Sequence, residues 1–392
     1  MSATTSISLD EIMVSRSGSV DPSKFPGEVF DLYSIPAFDS GRPEVFAGRD
    51  IGSAKQVVQP GDVLLSRIVP HIRRAWVVGN SRGRRTIGSG EWIVFRSRRF
   101  CANYLRHLLV TDQFHARLMQ TVSGVGGSLL RARPAQVAEI EIRLPALSEQ
   151  QRIARLLDQA DRLRRTCRYA LELSDTFLPA AFLELFGDLR QSDHRWSFVE
   201  LESHAEIASG IAKGQKYGDR ETVEVPYLRV ANVQDGYLDL TEIKTIRALP
   251  TDVESLRLKA GDIVMTEGGD FDKLGRGAIW PGGIVDCIHQ NHIFRVRLDS
   301  ATLLPAFFAA FLRSAAAKNY FLRCSKQTTN LASINMTQLR AAPVPLPPLS
   351  IQRHFAAVVA RYERLRASQR EALRQADHLF QSLLHRAFSE NG

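Results

Sequence analysis

The sequence contains few cysteines and no long apolar run, and both absences limit what the chain can be. Only four of the 392 residues are cysteine, and no two of them form a CxxC pair. Neither a disulfide framework nor a zinc site is therefore predicted. No stretch approaches the roughly 18 consecutive apolar residues of a membrane span, and the first residues lack the basic and apolar regions of a signal peptide. We expect a soluble, cytoplasmic protein without membrane contact.

Lysine is scarce among the basic residues. The 51 basic residues include only nine lysines, which leaves 42 arginines, and the formal net charge is +9. A positive chain favours a polyanionic partner such as double-stranded DNA. Arginine suits this partner because its planar guanidinium pairs bidentately with guanine edges and phosphates. The base composition of the genome could produce the same excess of arginine.

Familiar catalytic motifs are absent as well. The chain has no GxxxxGK[ST] loop, no HExxH helix and no GxSxG elbow. His289 and His292 have HxxH spacing but no obvious third ligand, and the acidic segment 267–272 is more typical of a glycine-rich loop than of a magnesium site. We therefore predict a protein that is not an enzyme and that has no metal site.

The clearest positive signal is an internal repeat. The segment Leu144–Ser148 (LPALS) returns as Leu346–Ser350 (LPPLS), and each copy precedes an amphipathic pattern. The match extends upstream at the same offset, from 129–145 to 331–347. A period of roughly 200 residues indicates a duplicated domain, because the repeats of a solenoid run about 20 to 50 residues.

Both amphipathic segments are predicted to be long helices that pair with each other. Apolar residues recur at steps of three and four, as in a coiled coil, and the two patterns are in register. Ser148 and Gln151 form a predicted capping box, and Pro179 is expected to bend or end the first helix. The predicted helix seam is Ile153, Leu156, Ala160, Leu163, Cys167, Phe177, Phe355, Val358, Tyr362, Leu365, Leu379 and Leu383.

These observations predict an α+β protein with two mixed α/β globular domains, each followed by a long helix. Because an apolar seam cannot remain in water, the helices are expected to pack as an antiparallel coiled coil with pseudo-twofold symmetry. In the first domain the alternation of apolar residues predicts strands at 62–68, 75–78 and 92–95 and a helix at 103–121. The predicted parts are a first domain at 1–147, a central helix at 148–188, a second domain at 189–349 and a distal helix at 350–392.

Basic and amide side chains gather in the predicted loops and strand ends of both domains. Arginine, asparagine and glutamine can hydrogen-bond to base edges, whereas lysine and threonine suit phosphates or thymine. The same residue types are common in turns for conformational reasons. The residues predicted to bind DNA are Arg67, Arg73, Arg74, Arg82, Arg84, Arg85, Arg131, Arg133, Lys213, Lys216, Tyr217, Arg229, Asn232, Lys273, Arg276, Lys326, Gln327, Thr328 and Asn330.

The chain resembles the specificity subunit of type I restriction-modification systems. The two lead-ins to the helices, LPALSEQQRIARLLDQAD at 144–161 and VPLPPLSIQRHFAAVVARYERL at 344–365, are similar to the two signatures of that family. The segments VQPGDVLLSR at 58–67, LKAGDIVMTEGGDFDKLGRGAIW at 258–280 and IHQNHIFRVR at 288–297 resemble strands of its target-recognition domains. The second signature departs from the first, since Ile351 and Arg353 replace Glu149 and Gln151.

The resemblance implies a non-catalytic protein whose two target-recognition domains each recognise one half of a bipartite DNA sequence. The antiparallel helices would set the spacing and bind two methyltransferase subunits. Those subunits would bring S-adenosylmethionine and methylate adenine, and restriction and motor subunits would use ATP and magnesium. This chain itself would bind no cofactor.

Two alternatives remain open at the level of sequence. A two-lobed scaffold for protein partners would keep the repeat and the helices. A metal-dependent DNA nuclease is suggested by Asp235, Glu242 and Lys244, which have D…ExK spacing, although so short a pattern often arises by chance.

Overall fold

Each of two structural units contains part of both long helices. A computed structural model describes residues 5–15, 17–124, 130–190, 195–271, 273–327 and 332–389. Unit 1 comprises Met1–Tyr169 together with Arg370–Gly392, and unit 2 comprises Ala170–Gln369. The core of unit 1 therefore draws on two segments of the chain that are distant in sequence.

Unit 1 is built from short strands and helices. Its strands are β1 (Thr5–Ser8), β2 (Ser19–Val20), β3 (Val29–Tyr33), β4 (Glu44–Ala47), β5 (Lys55–Val57), β6 (Val63–Ser66), β7 (Ala75–Val77), β8 (Arg85–Gly88), β9 (Trp92–Phe95), β10 (Val122–Ser123), β11 (Arg131–Ala132) and β12 (Glu141–Leu144). Its helices are α1 (Ala37–Ser40), α2 (Ala102–Leu108), α3 (Asp112–Gln120), α4 (Pro134–Ala138) and most of α5 (Leu147–Ser174). The sheets have the strand orders β2-β5-β8-β3-β4, β7-β6-β9, β1-β12 and β10-β11.

Strand β6 lies at the centre of unit 1. All four of its residues are buried, which fits a central strand covered on both faces. The strands predicted around 62–68, 75–78 and 92–95 are present as β6, β7 and β9. The single helix predicted at 103–121 is wrong, because α2 ends at Leu108 and Thr111 starts α3 by accepting a hydrogen bond from Phe114 N at 3.3 Å.

Unit 2 has the same kinds of element. Its strands are β13 (Phe198–Glu200), β14 (Ala205–Ser209), β15 (Val223–Leu228), β16 (Lys244–Ala248), β17 (Ile263–Thr266), β18 (Gly268–Gly269), β19 (Gly277–Ile279), β20 (Ile288–His289), β21 (Ile293–Leu298), β22 (Lys326–Gln327), β23 (Ala332–Ser333) and β24 (Pro343–Pro345). Its helices are α6 (Phe177–Phe186), α7 (Pro250–Leu256), α8 (Pro305–Leu312), α9 (Ala315–Cys324), α10 (Met336–Arg340) and the first part of α11 (Leu349–Ser389). The sheets have the orders β14-β21-β17-β19, β16-β15-β20, β18-β23-β22 and β13-β24.

A buried aspartate at the start of the central strand recurs in both units. In unit 1, Asp62 is 1% exposed and accepts two hydrogen bonds from Arg96, at 2.6 and 2.7 Å. In unit 2, Asp262 is 3% exposed and accepts two from Arg297, both at 2.8 Å. Each aspartate also accepts from the backbone N–H three residues earlier. The duplication predicted from sequence is thus present in the hydrogen bonds around the central strands.

A buried glutamine at the start of each long helix also recurs. Gln150 accepts from Cys101 N at 2.8 Å and donates to Arg99 O and Pro145 O. Gln352 accepts from Leu304 N at 2.8 Å and donates to the carbonyls of residues 302 and 347. Each glutamine ties the lead-in of its helix to the start of α2 or α8, so that the helix is fixed to its own domain.

The predicted capping box is wrong, whereas the central helix is interrupted close to Pro179, as expected. Helix α5 begins at Leu147, and the carbonyl of Ala146 accepts from the backbone N–H of residues 149 and 150, so Ser148 lies inside the first turn. The chain leaves helical geometry after Ser174, and α6 begins at Phe177. Pro179 falls in the first turn of α6, where a missing N–H costs no hydrogen bond.

Helix α11 pairs antiparallel with α5 in unit 1 and with α6 in unit 2, as predicted for the central and distal helices. In unit 1, the Arg168 guanidinium lies 3.8 Å from Asp377, and the Arg164 guanidinium lies 4.0 Å from the centre of the Phe380 ring. As the residue number falls along α5, that of its partner rises along α11.

Unit 2 shows the same direction of pairing. Phe177 stacks on Tyr362 with ring centres 5.8 Å apart, and Phe182 packs edge-on against Phe355 at 5.6 Å.

Five of the twelve predicted seam residues are exposed rather than buried. Ile153, Ala160, Phe355 and Tyr362 are buried, and the interior is completed by residues outside the predicted seam, such as Leu157 at 1% exposure. The adjacent Leu156 is 42% exposed. The seam residues that the structure places in contact with solvent are Leu156, Leu163, Phe177, Leu365 and Leu379. The reason is that α5 and α11 must cover both a domain and each other, which a two-helix heptad pattern does not describe.

Across the described ranges, every helix is too short or too polar to span a lipid bilayer.

Candidate nucleic-acid interface

In unit 1, two predicted DNA-binding arginines share one carboxylate at the end of the central strand. The Glu91 carboxylate accepts from Arg67 Nε at 2.9 Å and lies 3.4 Å from Arg131 Nε. The backbone holds these residues together, since Arg67 N donates to Glu91 O and Ala132 N donates to Arg67 O. All three charged side chains are between a quarter and a half exposed. The site therefore presents two oriented guanidinium groups to solvent.

Three other predicted arginines of unit 1 pair with carboxylates on and beside strand β3. Arg82 and Arg84 both lie near Asp31, at 3.4 and 3.3 Å, and the Asp31 side chain is only 4% exposed. Arg85 forms a bidentate pair with Glu28, which lowers the pKa of that carboxyl group through the hydrogen bond. Because the buried carboxylate of Asp31 needs such partners, Arg82 and Arg84 stabilise the domain whether or not they also contact DNA.

The remaining predicted arginines of unit 1 differ in exposure. Arg73 pairs with Asp112 at 2.6 Å, and the Arg74 side chain is only 12% exposed. Arg133 is exposed at the start of α4, and its side chain has no hydrogen-bond or ion-pair partner among the residues described. Arg133 is thus an exposed basic group that is not engaged by any described carboxylate.

In unit 2, the end of the central strand carries a carboxylate and a histidine. Glu267 follows β17, and its carboxylate lies 2.7 Å from His292 Nδ1. The backbone repeats the arrangement of unit 1, because Glu267 N donates to His292 O and Ile334 N donates to Glu267 O. The His292 side chain is 57% exposed.

Asn232 is a correction to the predicted interface. Its side chain is 3% exposed, donates to the carbonyls of Asp239 and Glu242 and accepts from Arg229 N. The amide has no face left for a base, because its hydrogen bonds close the loop that follows Arg229. The Arg229 guanidinium itself pairs with the Glu242 carboxylate at 3.1 Å.

The other predicted residues of unit 2 are distributed over several loops. Lys213 and Lys216 are exposed, and within the described part of the chain neither has an ion-pair partner. The Tyr217 hydroxyl donates to the carbonyl of residue 247, Lys273 pairs with Asp270, and Arg276 donates to the backbone of Val230. Lys326 is exposed on β22. The side chain of Gln327 and all of Thr328 and Asn330 lie outside the described residues.

The nuclease alternative receives no support from the geometry. Asp235 lies 3.5 Å from both Arg313 and Lys318, whereas Glu242 pairs with Arg229 and Lys244. Asp235 therefore has different partners from Glu242 and Lys244, which pair with each other. In the portion of the chain that the structure describes, no cluster of three or more His, Cys, Asp or Glu side chains is arranged to hold a metal ion.

His289 is a buried structural residue. Its Nδ1 donates to Ile293 O at 2.9 Å, and burial lowers its pKa to about 4. The ring is therefore neutral near pH 7 and contributes no charge to the interface. The two histidines of the HxxH spacing have different partners, because His289 contacts Ile293 and His292 contacts Glu267.

Comparison with known proteins finds a family model and several relatives that are similar to this chain. Residues 194–375 match the family model "Type I restriction modification DNA specificity domain". The EcoKI specificity subunit of Escherichia coli K12 is 22% identical over 371 residues, covering 88% of this chain and 77% of that protein. The resemblance to type I specificity subunits is confirmed.

Other specificity subunits are similar over different lengths. A specificity subunit named MjaX, from Methanocaldococcus jannaschii, is 27% identical over 172 residues, and the match spans 43% of this chain but only 40% of that relative. The solved type I S subunit from M. genitalium has a TM-score of 0.59 at 12% identity and covers 99% of this chain and 96% of its own. A chain from a structure on the assembly of the type I system also has a TM-score of 0.59, at 19% identity, covering 98% of this chain and 97% of that one. These structural matches establish the fold.

The sequence did not single out the carboxylates at the ends of the two central strands. Glu91 lies in an ordinary turn before β9, and Glu267 belongs to an acidic segment that suggested a loop. The one available signal was the repeat itself, because positions that follow equivalent central strands in the two units must have equivalent surroundings.

Proposed function

We propose that this chain is the DNA-recognition subunit of a type I restriction-modification complex, in which each unit recognises one half of a bipartite target. The observation that carries the proposal is the repeated frame: buried Asp62 and Asp262 hold equivalent strands, and the residues that follow those strands differ. Equivalent frames with different exposed polar groups suit recognition of two different half-sites. Sequence-specific DNA recognition is also the role of the family whose model matches residues 194–375.

Exposed basic side chains would hold the DNA backbone. Arg133 in unit 1 and Lys213, Lys216 and Lys326 in unit 2 are accessible. Phosphate contacts of this kind provide affinity that does not depend on sequence and that falls as salt rises. Base contacts would then come from groups fixed on strands, such as Arg67.

The long helices would bind the methyltransferase subunits. In unit 1, the helical segments expose Leu156, Leu163 and Leu379, and in unit 2 they expose Phe177 and Leu365. Large apolar side chains at helical spacing on a surface are typical of an interface that a partner covers. The chain itself would be non-catalytic, and the methyltransferase subunits would supply S-adenosylmethionine. Restriction and motor subunits would use ATP and magnesium.

Methylome sequencing of cells that produce this chain with its methyltransferase subunits tests the proposal. We expect one bipartite motif to be methylated, and no such motif in cells that produce the methyltransferase subunits alone. A scaffold for protein partners would leave the methylome unchanged. A nuclease would instead cut DNA when the purified chain is incubated with magnesium.

A further inference from the structure

The ends of the two central strands carry opposite charges at equivalent positions. Residues 67 and 267 each donate their backbone N–H, at 3.0 Å, to the carbonyl of the residue that precedes an adjacent strand of the sheet. That residue is Glu91, before β9, in unit 1 and His292, before β21, in unit 2. The carbonyls of residues 67 and 267 accept from residues 132 and 334. The side chain at this position is arginine in unit 1 and glutamate in unit 2. Its partner changes as well, from glutamate to histidine.

The side chains at the two positions contact each other in both units, but the side chain that follows the central strand is a cation in unit 1 and an anion in unit 2. In unit 1 the glutamate anchors arginine donors, and in unit 2 the histidine contacts one oxygen of an acceptor carboxylate, at 2.9 and 2.7 Å respectively. Both pairs remain partly exposed. If these two positions only stabilised the fold, the same charged pair could occupy them in both units.

A carboxylate on a DNA-binding face has a restricted range of uses. Phosphate repels it, so Glu267 cannot contribute to backbone affinity. A glutamate can accept a hydrogen bond from the amino group of cytosine, whereas arginine pairs bidentately with the N7 and O6 acceptors of guanine. The two strand ends therefore match two different base edges.

We propose that Arg67 and Glu267 are specificity-determining residues, with Arg67 contacting a guanine acceptor edge in one half-site and Glu267 a base amino group in the other. This inference rests on the proposed function. Glu91 and His292 are positioning residues, since each acts by orienting the side chain that it contacts. The contacts are in the major groove, where these edges are distinguishable.

Selection from a pool of random-sequence duplex DNA by the full chain, followed by sequencing, tests the inference. Arg67→Gln is expected to relax the preference at one base pair of one half-site by about 5- to 150-fold, the usual value of one bidentate contact. Glu267→Gln is expected to relax the preference at one base pair of the other half-site. Glu91→Gln should affect the base pair that Arg67→Gln affects, which a purely structural role would not do.

Two substitutions of exposed charged residues away from the strand ends serve as controls. Arg152→Gln and Glu254→Gln remove exposed charges on helices of units 1 and 2 and should leave both half-sites unchanged. Thermal unfolding of each variant shows whether the fold is retained. A uniform loss of binding to all sequences, or an unchanged preference in both variants, overturns the inference while the proposed function stands. If the unaltered chain selects no sequence, the proposed function fails and the inference fails with it.

Discussion

Replacing Gln150 by methionine should destabilise unit 1 far more than the same change at its neighbour Gln151. Gln150 is 1% exposed and makes three hydrogen bonds to backbone groups, at 2.8, 2.9 and 3.2 Å. Methionine has a similar length and can fill the space, but it can neither donate nor accept these bonds. Leaving a buried polar group unsatisfied costs about 1–3 kcal/mol. Because some of the three backbone groups can form a hydrogen bond to water instead, we expect the free energy of unfolding to fall by about 2–5 kcal/mol in total.

Urea and thermal unfolding of the full chain, followed by circular dichroism, would measure this loss. In a domain of this size, 1 kcal/mol corresponds to about 2–4 °C, so the expected decrease in the Tm of unit 1 is about 4–20 °C. Gln151 is exposed on the same turn of α5, and Gln151→Met provides the control. Equal stability of the two variants would refute the idea that the buried glutamine fixes the helix to its domain.

Two further predictions concern buried side chains. Leu157→Ala should lower the free energy of unfolding by about 2–5 kcal/mol, whereas Leu156→Ala should lower it by less than about 0.5 kcal/mol. Urea titrations measure both losses. Equal losses would support the seam predicted from sequence, in which Leu156 is the buried residue. Burial lowers the pKa of His289 from 6.5 to about 4, so the unfolded chain takes up this proton first and stability falls as the pH drops from about 6.5 towards 4. Urea unfolding at pH 7.5 and pH 5 should show about 2 kcal/mol more loss for the unaltered chain than for His289→Gln, and identical losses would argue against a buried neutral ring.

The duplication could be predicted from sequence because both copies must satisfy the same backbone contacts. The lead-in segments LPALS and LPPLS each precede a buried glutamine that makes three equivalent hydrogen bonds to the backbone of its own unit. The antiparallel pairing of the helices could also be predicted, since two long apolar faces of matched register have few other ways to leave water.

The exact faces of the helices could not be predicted, because Leu156 and Leu157 are adjacent and a heptad pattern accepts either. Only the position of the domain beside α5 selects Leu157. The role of Asn232 was hidden for a different reason. An amide in a loop is equally suited to bases and to backbone carbonyls, and the partners of Asn232 lie up to ten residues away.

The pair formed by Asp62 and Arg96 also has no local signature, since 34 residues separate the two. Its equivalent in unit 2 has a similar separation, so the spacing is visible only after the sheets are aligned. The sequence analysis located basic residues at strand ends, but it did not identify the carboxylates that orient their side chains.

The division of unit 1 between two distant segments has a consequence for synthesis on the ribosome. Phe380, Leu384 and Phe388 of α11 belong to the same core as Ile153 and Leu157. This stretch is translated only after the whole of Ala170–Gln369, which takes roughly 10–40 s at usual elongation rates. Unit 2, a continuous stretch of chain, can thus complete its core while the nascent first unit still waits for its last helical turns.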